Sequence, residues 1–540
     1  MTKSLSDQAE TMETVETPVL VVGSGPAGLL LAFQLARYGV RCMLVERNLD
    51  TTKWPKMDIT NCRSMELFNR LGISEAFREQ GVAQHYSSDV LFSTGLSEGG
   101  ELVAKWSLPS PDVWKERIRQ QNDGTMPREP YQRCSQAIFE AWLKKRILAE
   151  PLIDTRYGHK FESFKEGKDF VEAEITDVEK NEKYTVRSRF LVGCDGAGSR
   201  VRRNLGVELV GGPAPIAMYL VHFKSRDLSR LQKQGQFWHI FFTSGAAIIA
   251  QDEVETWTIH IPIPLDVDWK QLDPRQEVYK ALGGSLAPFP IEVGEILVCS
   301  AWRPAISVAE KYSSPSLKVF LAGDSAHQNI PTGGYGMNTA VGDSFDIGWK
   351  LAAIINGWGG DQLLSSYELE RKPVAIRNIE RSGVHHRVHQ TYVEWTMGAG
   401  PGVVTANADA GAALRERIRQ HVLRNDGENQ DHGIELGYRY SNSNIILKEK
   451  AQDAESDFDY RNYVPSPVPG ARAPHVFLAD CKTSIFDIFG PQFTLVDFSI
   501  DGTWAASFEK SASRLNIPLK CANLPRESQA KKVWGEATHS

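Results

Sequence analysis

The sequence predicts an α/β protein in which a doubly wound, Rossmann-like parallel sheet carries an inserted antiparallel sheet and is followed by a smaller C-terminal unit. Three observations predict this fold class. An apolar run precedes the glycine pattern of Gly23, Gly25 and Gly28, two later apolar runs lead to Asp195 and Asp324, and residues 218–264 alternate in the manner of strands. Glycine-rich turns after buried strands are typical of nucleotide-binding parallel sheets, whereas alternation is typical of antiparallel strands.

The first glycine motif has the residues that a dinucleotide requires. Residues 18–22 are apolar and β-branched, as expected of a buried parallel strand. Gly23 permits a tight turn, Gly25 lets the backbone approach a pyrophosphate, and Gly28 lets the following helix pack close to the strand. The next strand ends at Glu46, whose carboxylate suits ribose hydroxyls. The predicted cofactor contacts of this region are Gly23, Gly25, Pro26, Ala27, Gly28, Glu46 and Arg47.

The two later acidic strand ends indicate which dinucleotide binds. A strand predicted over 187–193 leads to Asp195, and one over 318–322 leads to Gly323 and Asp324. Ligands bind at the carboxyl ends of parallel strands, so these carboxylates can accept hydrogen bonds from ligand hydroxyls. An NAD enzyme has no need of the last acid, whereas the ribityl chain of a flavin carries extra hydroxyls. The segments together therefore predict bound FAD.

The order of the three segments resembles the single-component, FAD-dependent aromatic hydroxylases, the group of p-hydroxybenzoate hydroxylase and phenol hydroxylase. Two further stretches support the resemblance. Residues 55–66 are similar to the segment that follows the ribose acid, and residues 130–143 are similar to the helix that lines the isoalloxazine and ribityl chain. The resemblance covers residues 18–373 and is specific to cofactor and reaction class.

The resemblance implies further cofactor contacts. Arg133 and Gln136 would contact the ribityl–phosphate region, and Asp324 would bind a ribityl hydroxyl. Asp195 and Arg200 would shape the groove and help to dock the nicotinamide nucleotide. The remaining contacts of this set are Gly323, Met337 and Asn338.

A glycine-rich loop after the third motif is expected to line the reactive face of the flavin. It precedes a predicted helix that runs to Ile355, so that helix's N-terminus can face the ring. His327, just before the loop, is expected to be structural. The candidate catalytic residues of the loop are Pro331, Gly333, Gly334, Tyr335 and Gly336.

The resemblance also implies a reaction. NADPH or NADH would reduce the flavin, and O₂ would then give a C4a-hydroperoxide that hydroxylates a phenolic or polyketide-like substrate in a dry site. A hydrogen-bond acceptor near the substrate hydroxyl would favour the more nucleophilic phenolate. Trp238 can only donate, so it would position the substrate without activating it. The candidate substrate residues are Tyr131, Tyr219, His222, Trp238 and His239.

Three other functions stay open. A Baeyer–Villiger or dearomatising monooxygenase of the same family would use the same site. Residues 257–262 resemble the W-x-W-x-I-P pattern of flavin halogenases, but Ile259 replaces the second tryptophan. A flavin-binding module without turnover is disfavoured by the intact acids Glu46, Asp195 and Asp324.

Composition limits the partners and the compartment. The net charge of −6 implies no large basic surface for nucleic acid, and there is no apolar stretch long enough to span a membrane. The seven cysteines are scattered without a C-x-x-C pair, which fits a reducing compartment, and we expect a cytoplasmic enzyme. A homodimer is a further expectation.

The predicted organisation has five parts. Residues 1–17 form a disordered tail, 18–217 the first part of the FAD-binding domain, 218–296 the substrate-binding β-sheet domain, and 297–400 the second part of the FAD-binding domain with its helices. Residues 401–540 resemble the thioredoxin-like domain of some phenol and polyketide hydroxylases, without a C-x-x-C. His385, His386 and His389 cluster on a long predicted helix, and we expect a solvated face there and no metal site.

Overall fold

A computed structural model describes residues 13–56, 58–360, 362–447 and 458–535. Its strands are β1 (Thr14–Val22), β2 (Cys42–Glu46), β3 (Ile59–Thr60), β4 (Val90–Ser93), β5 (Leu102–Trp106), β6 (Gln132–Arg133), β7 (Ile153–Tyr157), β8 (His159–Glu166), β9 (Val171–Asp177), β10 (Glu182–Gly193), β11 (Leu209–Pro213), β12 (Ala217–Lys224), β13 (His239–Phe242), β14 (Ala247–Ala250), β15 (Thr256–Ile263), β16 (Ile296–Trp302), β17 (Ala305–Ala309), β18 (Val319–Leu321), β19 (His327–Gln328), β20 (Phe493–Asp497) and β21 (Leu519–Asn523). Its α-helices are α1 (Pro26–Arg37), α2 (Cys62–Arg70), α3 (Ser74–Arg78), α4 (Pro111–Gln120), α5 (Gln136–Leu148), α6 (Arg200–Asn204), α7 (Leu228–Leu231), α8 (Pro274–Gly283), α9 (Tyr335–Ile355), α10 (Gln362–Ala399), α11 (Asp409–Arg424), α12 (His432–Leu436), α13 (Thr503–Leu515) and α14 (Ser528–Trp534).

The first sheet confirms the predicted α/β class. Strands β7, β2, β1, β10 and β18 are parallel neighbours in that order, and β9 and β8 extend the sheet as an antiparallel pair beside β10. Val19, Leu20 and Val21 are fully buried, because both faces of the central strand are covered. This sheet positions three strand ends, those of β1, β10 and β18, along one edge.

Two strand boundaries differ from the sequence prediction. Strand β10 begins at Glu182 because its first half pairs with β9, where side chains alternate between buried and exposed. Strand β1 begins at Thr14, and Thr14 pairs with Thr185. Residues 14–17 of the predicted tail are therefore part of the sheet, whereas residues 1–12 lie outside the described residues.

The second sheet contains the strands of the predicted insertion, and it also includes strands from outside residues 218–296. Its order is β16-β12-β15-β14-β13-β4-β5, and β13 and β4 are its parallel pair. Strands β4 and β5 come from residues 90–106, inside the stretch assigned by sequence to the FAD-binding domain. Local alternation could not predict this pairing, because it joins strands about 150 residues apart in the chain. We refer to this sheet as the substrate sheet.

The substrate sheet separates two apolar clusters. One face carries Tyr219, Val221 and Phe223, which pack in a core that also includes residues of α8. The opposite face carries Phe241 and Ile249, which pack on a cluster that includes residues of α10 and α11. We refer to this second face as the inner face, because it is turned toward the helices that follow the FAD-binding motifs.

The C-terminal region contains one small parallel unit. Strands β20 and β21 pair in parallel, and α13 connects them. Helix α11 packs on β5 and α10, and α12 packs on α2, although both follow the predicted boundary at residue 401. The thioredoxin-like assignment and the five-part division stay predictions. Within the described residues, none of the helices combines the length and apolar character needed to cross a membrane.

Candidate active site

The three sequence motifs meet at one edge of the parallel sheet. Gly23 ends β1 with a φ of 102°, and a Cβ there would lie 2.4 Å from the carbonyl oxygen of Cys194, next to the second motif. A Cβ at Gly28 would lie 1.9 Å from the Gly23 carbonyl oxygen. A Cβ at Gly323, in the third motif, would lie 3.2 Å from the Ala27 Cβ. Close packing within the chain therefore requires these glycines.

Gly25 is different, because nothing in the described chain requires a glycine there. Its φ and ψ of −70° and −178° are open to any residue, and no heavy atom lies within 4 Å of a Cβ built on it. Gly25 directly precedes α1, whose free N–H groups and positive dipole end attract an anion. The open space in front of Gly25 would suit the pyrophosphate of a dinucleotide, and this assignment stays a prediction.

Glu46 stands beside this turn, at the end of β2. One carboxylate oxygen accepts the backbone N–H of Ser24 at 2.9 Å, and the other accepts the N–H of Asn48 at 2.9 Å. Its side chain is half-buried, whereas Arg47 is exposed. The Ser24 hydroxyl and the Asn48 side-chain amide also donate to this carboxylate, at 3.3 Å and 2.7 Å, so its orientation is fixed by four donors of the chain. Its contact with ribose hydroxyls stays a prediction.

Asp195 of the second motif is engaged within the chain. Its carboxylate accepts hydrogen bonds from the Ser199 hydroxyl and from the N–H of Arg200, 2.6 Å away, at the start of α6. The guanidinium of Arg200 pairs with Glu162 on β8. The second motif thus holds the segment after β10 in place, and a role of these residues toward the nicotinamide nucleotide stays a prediction.

Asp324 of the third motif is available to a ligand. It is exposed, and its carboxylate has no hydrogen-bond partner among the described residues. It follows Gly323, whose φ of 65° is the left-handed conformation that glycine favours. An unpaired acid at the end of β18, beside α1 and α9, suits a polyhydroxylated chain such as the ribityl group.

His327 lies behind this motif in a buried ion-pair network. Its Nε2 lies 2.7 Å from Asp343, which also accepts the Nε–H of Arg371 at 2.9 Å and the N–H of Gly323 at 3.1 Å. His327 and Asp343 are fully buried. Burial raises the pKa of Asp343, but the positive charges beside it lower that pKa further, so it is lowered overall. This placement agrees with a structural histidine.

The glycine loop at residues 331–336 is held in one conformation. Gly333 and Gly334 have φ values of 83° and 66°, and a Cβ at Gly334 would lie 2.5 Å from Ile59 Cγ2. The side-chain amide of Asn338 donates to the Gly334 carbonyl at 2.6 Å. Tyr335 is buried, and its hydroxyl lies 3.1 Å from His385 Nε2. The side chain of Tyr335 is thus engaged by α10, and its place among the catalytic residues of the loop stays a prediction.

Among the remaining loop residues, Gly336 and Pro331 are the more open ones. Pro331 is exposed, and a Cβ at Gly336 would meet no heavy atom within 4 Å. Met337 is buried in the core of the FAD-binding sheet. Among the described residues, the loop is therefore most open at Pro331 and at the backbone of Gly336.

Arg133 and Gln136 are both buried, and Arg133 lies against the substrate sheet. The guanidinium of Arg133 pairs with Glu253, donates to the Ala250 carbonyl and lies over the ring of Trp238. The amide of Gln136 donates to Glu140 at 2.7 Å. Both side chains are engaged within the chain, and their contact with the ribityl–phosphate region stays a prediction.

One predicted substrate residue stands out on the inner face. His239 is 8% exposed, and neither ring nitrogen has a hydrogen-bond partner in the described structure. Its ring stacks on Trp238, with centroids 4.2 Å apart, and lies 5.3 Å from the ring of Phe241. Burial lowers the pKa of His239 to about 3, so the imidazole is neutral and can accept one hydrogen bond and donate another.

The other four substrate candidates are engaged elsewhere. Tyr219 lies on the opposite face of the sheet, in the core with α8, because side chains alternate along β12; its prediction is wrong. The hydroxyl of Tyr131 donates to the Pro109 carbonyl, and the indole N–H of Trp238 donates to Asp58 at 2.5 Å. His222 lies on the inner face, and its Nδ1 is 2.9 Å from the Thr258 hydroxyl.

The histidines of α10 do not form a solvated face, which corrects that expectation. His385 and His389 are buried, and each meets an acid from the segment before α12. His389 Nε2 lies 2.7 Å from Glu428, and His385 Nε2 lies 3.4 Å from Asp431. The sequence prediction missed both acids, since no motif surrounds them and their partners lie about 40 residues earlier.

Asp58 is a further buried acid that the sequence analysis did not single out. It accepts the Trp238 indole N–H, and burial raises its pKa. It lies directly before β3, inside the predicted segment of residues 55–66, and only that position could have drawn attention to it.

The fold and this edge define the class as a flavin-binding enzyme, because a dinucleotide turn and an unpaired acid at a third strand end lie together in a parallel sheet that is accompanied by a second, mostly antiparallel sheet. Residues 16–382 match the FAD binding domain family. The chain is 47% identical to the FAD-dependent monooxygenase apdD of Emericella nidulans, over 96% of this chain and 84% of that one. It is 28% identical to a 2,4-dichlorophenol 6-monooxygenase of Cupriavidus pinatubonensis, over 86% of this chain and 79% of that one.

A solved structure has the same architecture. The flavin-dependent monooxygenase PieE, crystallised with FAD and substrate, superposes with a TM-score of 0.82 at 27% identity, over 94% of this chain and 90% of that chain. The chain belongs to the FAD binding domain family, and it is an FAD-dependent monooxygenase that uses NAD(P)H and O₂ as co-substrates. The resemblance predicted from the three motifs is thereby confirmed.

Proposed function

We propose that this monooxygenase hydroxylates a phenolic or polyketide-like aromatic ring bound between the inner face of the substrate sheet and the glycine loop. The observation that carries the proposal is His239, a buried neutral imidazole with both nitrogens unpaired. A buried polar group without a partner costs free energy, so its partner is expected to be a ligand. The phenol in the name of the Cupriavidus relative supports the substrate class.

The residues at the sheet edge fit FAD. The N-terminus of α1 and the open backbone at Gly25 would hold the pyrophosphate, Glu46 the adenosine ribose, and Asp324 the ribityl chain. The N-terminus of α9 and the glycine loop would lie at the flavin ring. Reduced FAD, when bound, supplies the activation of O₂ that transfers one oxygen atom to the substrate.

The protein side of the reaction is binding, orientation and exclusion of water. His239 would accept the substrate hydroxyl's proton in a hydrogen bond, which raises the electron density of the ring at the moment of attack. Phe92 and Phe241 stack near it and give a dry, aromatic wall. The balance is one NAD(P)H, one O₂, one proton and one ring C–H consumed, with one NAD(P)⁺, one ring C–OH and one water formed.

The test begins with the flavin. NADPH or NADH added to the purified protein without oxygen is expected to bleach the flavin without a separate reductase, and faster with substrate present. Products are then assayed over a panel of phenols, resorcinols and polyketide-like aromatics by mass. Bleaching only with an added reductase would contradict a single-component enzyme, and an inserted ring oxygen in place of a hydroxyl would favour the Baeyer–Villiger alternative.

His239 is tested by two substitutions. His239→Gln keeps an acceptor and a donor, whereas His239→Phe keeps the ring and removes both. We expect His239→Phe to lower kcat/KM by about tenfold or more, the scale of one hydrogen bond to a buried group, and His239→Gln to lower it less. Equal kcat/KM in His239→Phe and the parent, at equal FAD content, would contradict this role.

No observation favours the halogenase. Trp257, the tryptophan of the partial pattern, is fully buried in the core with α8, and its indole donates to the Ser225 carbonyl at 2.9 Å. A structural role thus accounts for it.

We also propose a cytoplasmic homodimer. All seven cysteines are free, which suits a reducing compartment. Cell fractionation and light scattering of the purified protein test the two statements separately.

A further inference from the structure

The glycine loop rests on a layer of buried polar side chains. The Gly333 N–H donates to Glu428 Oε1 at 3.0 Å, and the Thr332 hydroxyl donates to the Ser382 carbonyl of α10 at 2.8 Å. A Cβ at Gly336, three residues after Gly333, would by contrast meet no heavy atom within 4 Å. The conformation of the loop therefore depends on how Glu428 is held.

Glu428 is held by His389. The other carboxylate oxygen of Glu428 lies 2.7 Å from His389 Nε2, and His389 Nδ1 lies 3.2 Å from the Tyr392 hydroxyl. The side chains of Glu428 and His389 are only 5% and 11% exposed. Burial raises the pKa of Glu428, but the charge and hydrogen bond of His389 outweigh burial and lower it to about 2. The carboxylate is thus ionised, and each of its oxygens has a partner.

The same histidine touches the substrate sheet. The His389 ring lies 4.1 Å from the ring of Phe241 and 6.0 Å from that of Phe92, measured between centroids. Phe241 in turn lies beside His239 on the inner face. One ion pair therefore joins the loop, the long helix α10 and the substrate wall.

A buried ion pair is weak evidence of stability, because desolvation offsets its Coulomb gain. Apolar residues in the same place would pack α10 on the sheet equally well. What they would not do is accept the Gly333 N–H and fix a loop that carries two glycines with positive φ. The specific effect of the Glu428–His389 pair is therefore on the conformation of the glycine loop.

We propose that Glu428 and His389 are positioning residues, which fix the glycine loop relative to the inner face and so set the fraction of NAD(P)H that ends in hydroxylated product. The proposal rests on the placement of the flavin and substrate given above. Neither residue transfers an atom to the substrate. Both act through the backbone of Gly333 and the ring of Phe241.

The test compares Glu428→Ala with Glu428→Gln. Alanine removes both hydrogen bonds, whereas glutamine can accept the Gly333 N–H through its oxygen and place its amide group beside the His389 ring. Glu428→Ala is expected to lower product per NAD(P)H consumed by about threefold or more, with peroxide rising in step, since a hydrogen bond to a charged group is lost. Glu428→Gln is expected to restore most of the coupling.

The control is Glu416→Gln on α11, whose exposed carboxylate pairs with Arg419 and lies outside the site. It is expected to match the parent. Glu428→Ala with full FAD content and unchanged coupling would overturn the proposal. If Glu428→Ala does not retain FAD, His389→Phe decides, because it keeps a ring against Phe241 and removes the donor; unchanged coupling in it would overturn the proposal.

A second readout separates this proposal from the substrate assignment. The visible absorption bands of bound flavin respond to the loop without any substrate. A shifted spectrum in Glu428→Ala, partly restored in Glu428→Gln, supports the positioning role even if no phenol in the panel is hydroxylated. A parent-like spectrum in Glu428→Ala overturns it even if phenols are hydroxylated.

Discussion

Replacement of Gly25 by alanine separates a glycine required by a ligand from a glycine required by the fold. The added methyl group meets no heavy atom of the chain within 4 Å, and the backbone conformation there is open to alanine. Exchange of glycine for alanine before a helix costs about 1 kcal/mol or less, since neither side chain caps the helix. We expect the apoprotein of Gly25→Ala to unfold close to the parent's temperature.

FAD affinity is expected to change far more. The methyl group stands where the pyrophosphate approaches the N-terminus of α1 and would remove at least one hydrogen bond to the anion, a loss of about 1.5–3 kcal/mol. That loss corresponds to a Kd raised about 10- to 150-fold. The assay is FAD titration of the apoprotein by flavin fluorescence, beside thermal unfolding of the same samples.

Two other glycines serve as controls. Gly28→Ala would place a Cβ 1.9 Å from the Gly23 carbonyl oxygen, so it is expected to impair folding itself. Gly383→Ala lies in α10 with no heavy atom within 4 Å of its Cβ, and is expected to leave FAD binding unchanged. A Kd for Gly25→Ala within threefold of the parent would refute the assignment of this space to the pyrophosphate.

Three further predictions follow from the same geometry. Asp324→Ala should lower FAD retention without loss of stability, because the carboxylate is exposed and bonds to nothing in the described chain; equal retention, measured as flavin per protein, would contradict it. Gly334→Val should shift the loop, because its Cβ would lie 2.5 Å from Ile59 at a φ of 66°, and peroxide per NAD(P)H should rise at equal FAD content; unchanged coupling would place the loop away from the reaction. Burial raises the pKa of Glu66, but Arg472 and Arg63 lower it further, to about 2. The contribution of the Glu66 carboxylate to the free energy of unfolding is therefore present above the unfolded pKa near 4.5 and is lost as the pH falls toward 2. In denaturant unfolding, the stability of Glu66→Gln should therefore depend less on pH between about 4.5 and 2 than the stability of the parent; an equal pH dependence would contradict this.

The sequence was sufficient where function depends on local backbone geometry. The turn at Gly23 and the acids at Glu46 and Asp324 are visible in the sequence because a strand, a turn and a helix lie within about thirty residues, and the structure brings these motifs to one edge. The class of cofactor and reaction follows from that edge.

The sequence was insufficient where contacts join distant segments. Strand β4 joins the substrate sheet across about 150 residues, a pairing that the alternation of residues 218–264 did not indicate. His389 was predicted to be solvated because its acid partner, Glu428, is carried by a segment without a recognisable pattern. Tyr219 was predicted to face the substrate because composition does not reveal which face of a strand is turned toward the pocket.

Isotope labelling that traces the oxygen atom of the product tests the proposed monooxygenase reaction most directly. The purified enzyme, with its FAD, is supplied with NAD(P)H and the best phenol of the panel under ¹⁸O₂, and the product is analysed by mass. The account predicts one ¹⁸O atom in the new hydroxyl and none from labelled water. Product that carries oxygen from water, or complete recovery of the reducing equivalents as peroxide with every aromatic compound tested, would contradict it.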